Sequence, residues 1–280
     1  MNIEISKRLE SLPPYLFAAI DAAKRKARQE GKNIIDLGVG DPDIPTPPFV
    51  IEKLHEAAQD SRNHRYALDQ GMPELRQAIA EWYKTRFGVD LDPEKEVLPL
   101  IGSKEGIAPT PFAFLNKGDV SLVPDPCYPP YRNCTILADA KPHLMPLRAS
   151  NGFLPDVDDI TPALAQKAKL MFLNYPNNPT AGVADDAFYA KVADFAAKNN
   201  VIVCSDAAYS EVAYDGYKPP SFLQAPGAKE VGVEFHSLSK TFNMTGWRIG
   251  WVCGNAQVVA GLARFKANID SGIFQAIQIA

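Results

Sequence analysis

Apolar runs of four to six residues alternate along the chain with longer stretches in which apolar positions recur every three to four residues. The runs IIDLG (34–38), VLPLI (97–101), VSLV (120–123), LMFLN (170–174), VIVCS (201–205), VGVEFH (231–236) and IGWVC (249–253) have the length and composition of strands. PELRQAIAEWYKTRF (73–87) and DDAFYAKVADFAAKNN (185–200) have the spacing of helices. Pro73 suits a first helical turn, and the Asn199–Asn200 pair supplies a stop. Near-continuous apolar strands separated by helices predict an α/β fold, a mostly parallel sheet with helices on both faces. The stretch before the Pro-rich segment GDPDIPTPP reads as a helix and a short strand set apart from the main sheet.

Composition narrows the function classes. With 280 residues and 46% hydrophobic content, the chain can bury a core without disulfide or metal staples. Its 29 Lys+Arg against 33 Asp+Glu leave a net charge of −4, which offers no basic footprint for nucleic acid or an anionic membrane. MNIEISKRLE has no signal-peptide core, and no apolar run approaches the ~18 residues of a membrane span, so a cytoplasmic location is expected. Cys127, Cys134, Cys204 and Cys253 lack metal-ligand spacing, and His55, His64, His143 and His236 form no pair, so no metal is expected. The final SGIFQAIQIA reads as a helix without stop signals, as if the chain were a fragment of a longer one. An exposed apolar patch is expected near it.

In an open parallel sheet, ligands bind where strands end at their carboxyl edge. Gly102-Ser103-Lys104 follows one strand and opens a helix, which suits either a phosphate or a plain Ser N-cap. Tyr128, Asn178 and Asp206-Ala-Ala-Tyr209 follow three others. Asp206, after Val, Ile, Val, Cys and Ser, is either an N-cap or a poorly solvated carboxylate that wants a cation such as a protonated pyridine nitrogen. Asn178 and Tyr209 could donate to a phenolate oxygen on such a ring, and Tyr128 could stack on its face. Ser237-Leu-Ser239-Lys240, with Arg248 eight residues on, combines a candidate Schiff-base lysine with phosphate-gripping groups. Gly38-Val-Gly40 begins like a dinucleotide fingerprint but lacks its third glycine.

Taken together, Ser103-Lys104, Tyr128, NYPNNPT (174–180), DAAY (206–209) and SLSKTFNMTGWRIG (237–250) resemble the class I/II pyridoxal-phosphate aminotransferases of fold type I. SLPPYLFAAID, LGVGDPDIPTP, LIGSKEGIA and DSGIFQAIQ are similar to the LL-diaminopimelate aminotransferases within that class. The resemblance implies a pyridoxal 5′-phosphate cofactor and amino transfer between LL-2,6-diaminopimelate and 2-oxoglutarate in lysine biosynthesis. Lys240 would carry the cofactor and move the proton, with Lys104 as the rival lysine. Asp206 would pair with the pyridine nitrogen, Asn178 and Tyr209 would bond the 3′-oxygen, and Tyr128 would stack on the ring. Ser103, Lys104, Ser237, Ser239 and Arg248 would hold the phosphate. Tyr66 would reach the neighbouring subunit's phosphate in a homodimer, and Tyr15 and Gly40 would line the substrate pocket. The resemblance further implies residues 1–44 as the N-terminal segment of a small domain. Residues 45–280 would be the large cofactor domain ending in an interdomain helix, with the arginine for the substrate α-carboxylate beyond residue 280. Other class I/II aminotransferases of alanine or aspartate type, a β-lyase of the same fold and an inactive fragment remain open. A DNA-binding regulator that reuses the fold does not suit the short segment before the large domain. The chain departs from the pattern at Ala181-Gly182, Pro109-Thr110 and Lys117.

Overall fold

The computed structural model describes residues 1–13, 16–36, 38, 40–67 and 70–280, with residues 16–18 described by their backbone. Among these residues seven strands form one sheet: β1 (Val97–Leu100), β2 (Val120–Asp125), β3 (Lys141–Pro146), β4 (Ala168–Asn174), β5 (Ile202–Asp206), β6 (Gly232–Ser237) and β7 (Gly250–Gly254). Their order is β1-β7-β6-β5-β4-β2-β3. β2 to β6 pair in parallel where they neighbour, and only β7 runs antiparallel, between β1 and β6.

The strands' apolar runs follow from burial on both faces. Met171 and Leu173 of β4 join one core with Tyr83, Tyr189 and Phe222. Leu170 and Phe172 join the other with Tyr131 and Phe235. This period-two alternation sends successive side chains to opposite faces, each covered by helices. Phe172 and Phe235 are both 0% exposed; full burial of such a side chain contributes on the order of 2–3 kcal/mol.

The helix from Pro73 to Phe87 starts with proline in its first turn and stops at Gly88, at φ 70°. The helix from Asp186 to Asn199 is capped by the Asp185 carboxylate, which accepts from the Phe188 N–H at 2.8 Å. It ends at Asn200, at φ 55°. Both follow the spacing in the sequence. The proline at 109 divides what would be one helix into Ser103–Ile107 and Thr110–Phe114 and sits at the cap of the second. The buried Thr110 hydroxyl donates to the Gly106 carbonyl at 2.7 Å across the break.

One strand expectation needs correction, and one strand was not expected. Residues 34–36 and 38 belong to no strand, and Ile35 is 85% exposed; a short apolar run needs a partner strand before it becomes one. Conversely, KPHLMP forms β3, which alternating polarity, two prolines and a histidine concealed. It is an edge strand, where a missing N–H is tolerated. Toward the last helix, Gln275–Ile279, the side chains of Ile269, Phe274 and Ile279 stand exposed, as expected of an apolar surface there. Among the described residues no helix is long and apolar enough to cross a membrane.

Candidate active site

The topology gathers the chemistry at one edge. β1, β2, β4, β5 and β6 all point their carboxyl ends the same way. The antiparallel β7 starts there, because Leu100 and Ser237 both pair with Gly250. Ser103, Tyr128, Asn178, Tyr209 and Lys240 therefore leave the sheet from this edge, and Arg248 enters it.

Asp206 closes β5 and is 5% exposed. Its Oδ2 accepts from the Tyr131 hydroxyl at 2.6 Å and its Oδ1 from the Ala208 N–H at 3.2 Å. Burial pushes its carboxyl up to about 6 against these two hydrogen bonds. The group is thus charged near neutral pH only at a cost, which a cation beside it would offset. Tyr131 is fully buried, stacks on Phe172 (4.9 Å, 8°) and meets Tyr128 edge-on at 5.6 Å. It thereby links the acid to the aromatic platform. The sequence reading missed it; its only signal was the three-residue spacing after Tyr128.

Beside this group the Asn178 amide donates to the Tyr209 hydroxyl at 3.2 Å. Asn178 is held from behind, since its N–H donates to Asn174 Oδ1 at 2.7 Å while the Asn174 amide donates to the Asp206 carbonyl at 2.8 Å. Asn177 closes the same turn by accepting from the Thr180 N–H and hydroxyl. The departure at 181–182 is accommodated with strain. Ala181 adopts φ 58°, and a Cβ on Gly182 would lie 2.9 Å from the Gly152 carbonyl. The glycine serves close approach while the alanine carries the left-handed conformation.

The third group is cationic. Gly102, at φ 73°, turns the chain into the helix that begins with Ser103, and a Cβ there would collide with the Arg248 guanidinium. On Gly250 a Cβ would lie 2.9 Å from the Ser103 amide nitrogen. These two glycines let the guanidinium, the Ser103 amide and the start of β7 crowd together. Arg248 itself sits at φ 56° and donates to the Thr245 carbonyl at 2.9 Å. Ser237 caps the short helix Leu238–Thr241 by accepting from the Ser239 N–H, and both serines are buried. An exposed guanidinium, backbone N–H groups and hydroxyls at a strand-to-helix turn make an anion cradle.

Lys240 is half-buried and donates to the Gly40 carbonyl at 2.8 Å. Burial, helped by Arg248 and opposed by Asp41, lowers its pKa from the usual lysine range. Lys104 is exposed. Tyr66 is 88% exposed, its carbonyl accepting from the Gln275 amide at 3.3 Å. Tyr15 falls outside the described residues.

The sequence pattern of the family Aminotransferase class I and II matches residues 32–280. The LL-diaminopimelate aminotransferase of Moorella thermoacetica is 57% identical over 275 residues, 98% of this chain and 70% of that protein. The enzyme of the same name from Desulforudis audaxviator is 55% identical over 280 residues and 71% of its length. Among solved structures, substrate-bound BacF from Bacillus subtilis superimposes with a TM-score of 0.94 at 43% identity, over 99% of this chain and 70% of that one. A mutant aspartate aminotransferase from Thermus thermophilus gives 0.92 at 27% identity, over 99% and 72%. The chain belongs to the class I and II aminotransferases, enzymes that move amino groups with pyridoxal 5′-phosphate.

Proposed function

We propose that this chain carries out amino transfer between LL-2,6-diaminopimelate and 2-oxoglutarate, with pyridoxal 5′-phosphate held at the carboxyl edge of the sheet. The donor follows from the name shared by relatives 54–57% identical over nearly the whole chain. The observation that carries the site is Asp206, a buried carboxylate at a strand end with two protein hydrogen bonds and a raised pKa. Such a group fits a protonated ring nitrogen better than it fits the core.

The remaining donors fit the same ligand. Asn178 and Tyr209 would hold its 3′-oxygen, and Tyr128 would pack on its face. Ser103, Lys104, Ser237, Ser239 and Arg248 would hold its phosphate, the first two partly through backbone N–H groups. Bound pyridoxal phosphate supplies an aldehyde that accepts the amino group and a ring that takes up the electron pair left when the α-proton departs. Lys240 then has one task in the proton transfer. Its Nζ, with a lowered pKa, would be the group that takes the proton from the substrate α-carbon and hands it on toward the cofactor. Asp206 would stay charged beside a protonated ring nitrogen, while the Tyr131 hydroxyl orients the carboxylate.

The same reading assigns residues 1–44 to a small domain and 45–280 to the cofactor domain. It places Tyr15 and Gly40 at the substrate, and has Tyr66 reach a second subunit of a cytoplasmic homodimer. The exposure of the Tyr66 ring supports that reach.

Borohydride reduction followed by peptide mapping tests the core of the reading. A pyridoxyl label on Lys240 is expected, and a label on Lys104 or none overturns it. A coupled assay for tetrahydrodipicolinate tests the donor. Turnover of alanine or aspartate without diaminopimelate would keep the class and reject the substrate.

A further inference from the structure

Behind the phosphate-binding turn lies a cluster that the proposed chemistry leaves unused. Lys266, its side chain 4% exposed, donates to Glu105 Oε1 at 2.9 Å and to Asp270 Oδ1 at 2.6 Å. The two carboxylate side chains are 14% and 16% exposed. Two acids thus share one amine out of water, an arrangement that costs free energy unless the protein needs the geometry.

The partners of these acids indicate what the geometry secures. Glu105 Oε2 accepts the N–H of Ile101, the residue before Gly102, at 2.5 Å. The carboxylate therefore clamps the backbone from below where it turns at φ 73° to face Arg248. Asp270 Oδ1 also accepts the Gly272 N–H at 2.7 Å. Gly272 leads into Ile273, which packs in a small core with Val50, Met244 and Ile249, the neighbour of Arg248. One cluster thus reaches both walls of the cradle, the Gly102–Lys104 turn and the Arg248 arm.

Asp270 Oδ2 is buried and has no hydrogen-bond partner among the described residues. Burial and the Asp270 carboxylate push Glu105 up to about 7. Burial opposes the shift at Asp270, yet the neighbouring Glu105, Lys266 and the Gly272 N–H hold it below its ordinary value.

We infer that Glu105, with Lys266 and Asp270, is a positioning residue for the phosphate-binding turn, setting how tightly the phosphate end of the cofactor is held. The inference rests on the proposed cofactor site.

The test compares two ligands on apo-protein, pyridoxal 5′-phosphate and pyridoxal, by equilibrium titration of protein fluorescence. Glu105→Ala frees the Ile101 N–H, so the preference for the phosphorylated ligand should fall about tenfold, with pyridoxal binding unchanged. Glu105→Gln keeps an oxygen for that N–H and should restore most of the preference. Asp270→Asn should lower the preference about two- to threefold without removing the clamp, and it remains informative if the alanine variant fails to fold. An unaltered preference in all three variants, or equal weakening of both ligands, overturns the inference. Absence of pyridoxal phosphate binding by the unsubstituted protein would instead overturn the proposed site, and the inference with it.

Discussion

Two buried carboxylates stand on neighbouring strands, and they are satisfied differently. Glu234, in the middle of β6, is 0% exposed and accepts four hydrogen bonds. They come from the Tyr83, Ser205 and Ser221 hydroxyls and the Phe222 N–H. Asp206, at the end of β5, is 5% exposed and accepts two. Burial raises the pKa of both. The register pairs Ser205 with Glu234 and Asp206 with Phe235, so the two acids face opposite sides of the sheet. Among the described residues the protein fills the acceptor capacity of Glu234 itself and leaves more of it open on Asp206, at the carboxyl edge of the sheet. Burial and a shifted pKa do not tell structure from function here; the unfilled acceptor capacity and the strand end do.

The contrast can be broken by substitution. The largest effect belongs to the edge: Lys240→Ala should cut kcat at least about 10³-fold in steady-state assays, while denaturant unfolding moves by under ~1 kcal/mol. A variant retaining more than a tenth of the rate would remove Lys240 from the chemistry. Next comes the acid pair. Asp206→Asn should lower kcat/KM about 10²–10³-fold without lowering the unfolding free energy at neutral pH. Glu234→Gln should do the reverse, costing about 3 kcal/mol of stability through misplaced donors, with kcat/KM of the folded fraction intact. If both variants lose stability equally, the distinction between the two acids fails.

The pH dependence of apo-protein sharpens the same point. Asp206 has a folded pKa of about 6, above the ~3.9 of an unfolded aspartate. The native state therefore binds the proton more tightly, and this contribution is present below pH ~4 and lost as pH rises through 6. It amounts to at most about 3 kcal/mol. Urea titrations of apo-protein and Asp206→Asn from pH 4 to 7 should diverge by that amount, and parallel curves would contradict it. The smallest effect leaves both acids alone. Ala181→Gly relieves a left-handed alanine and should stabilise the protein by about 0.5–1 kcal/mol in the same urea assay.

Much of this was legible in one dimension. Six of the seven strands, the helices 73–87 and 186–199 and the edge residues from Ser103 to Arg248 follow from apolar spacing and strand-end position. β3 was not, because an edge strand with two prolines carries no apolar signature. The run at 34–38 misled for the opposite reason: apolar residues without a partner strand look the same in sequence as those with one. Tyr131 was invisible as well, since nothing near it in the chain announces that its hydroxyl meets an aspartate 75 residues later.

The sequence by itself determined which groups are present and that they follow strands, because local propensity and apolar period act over a few residues. Tertiary structure decided the rest. The antiparallel entry of β7 brings Arg248 against Gly102, and hydrogen bonds from distant segments fill Glu234. Tyr131 orients Asp206, and Lys266 joins Glu105 to Asp270. Each depends on side chains far apart in the chain meeting in a low-dielectric interior, where an unfilled acceptor or an unshared charge carries a free-energy cost that no local pattern records.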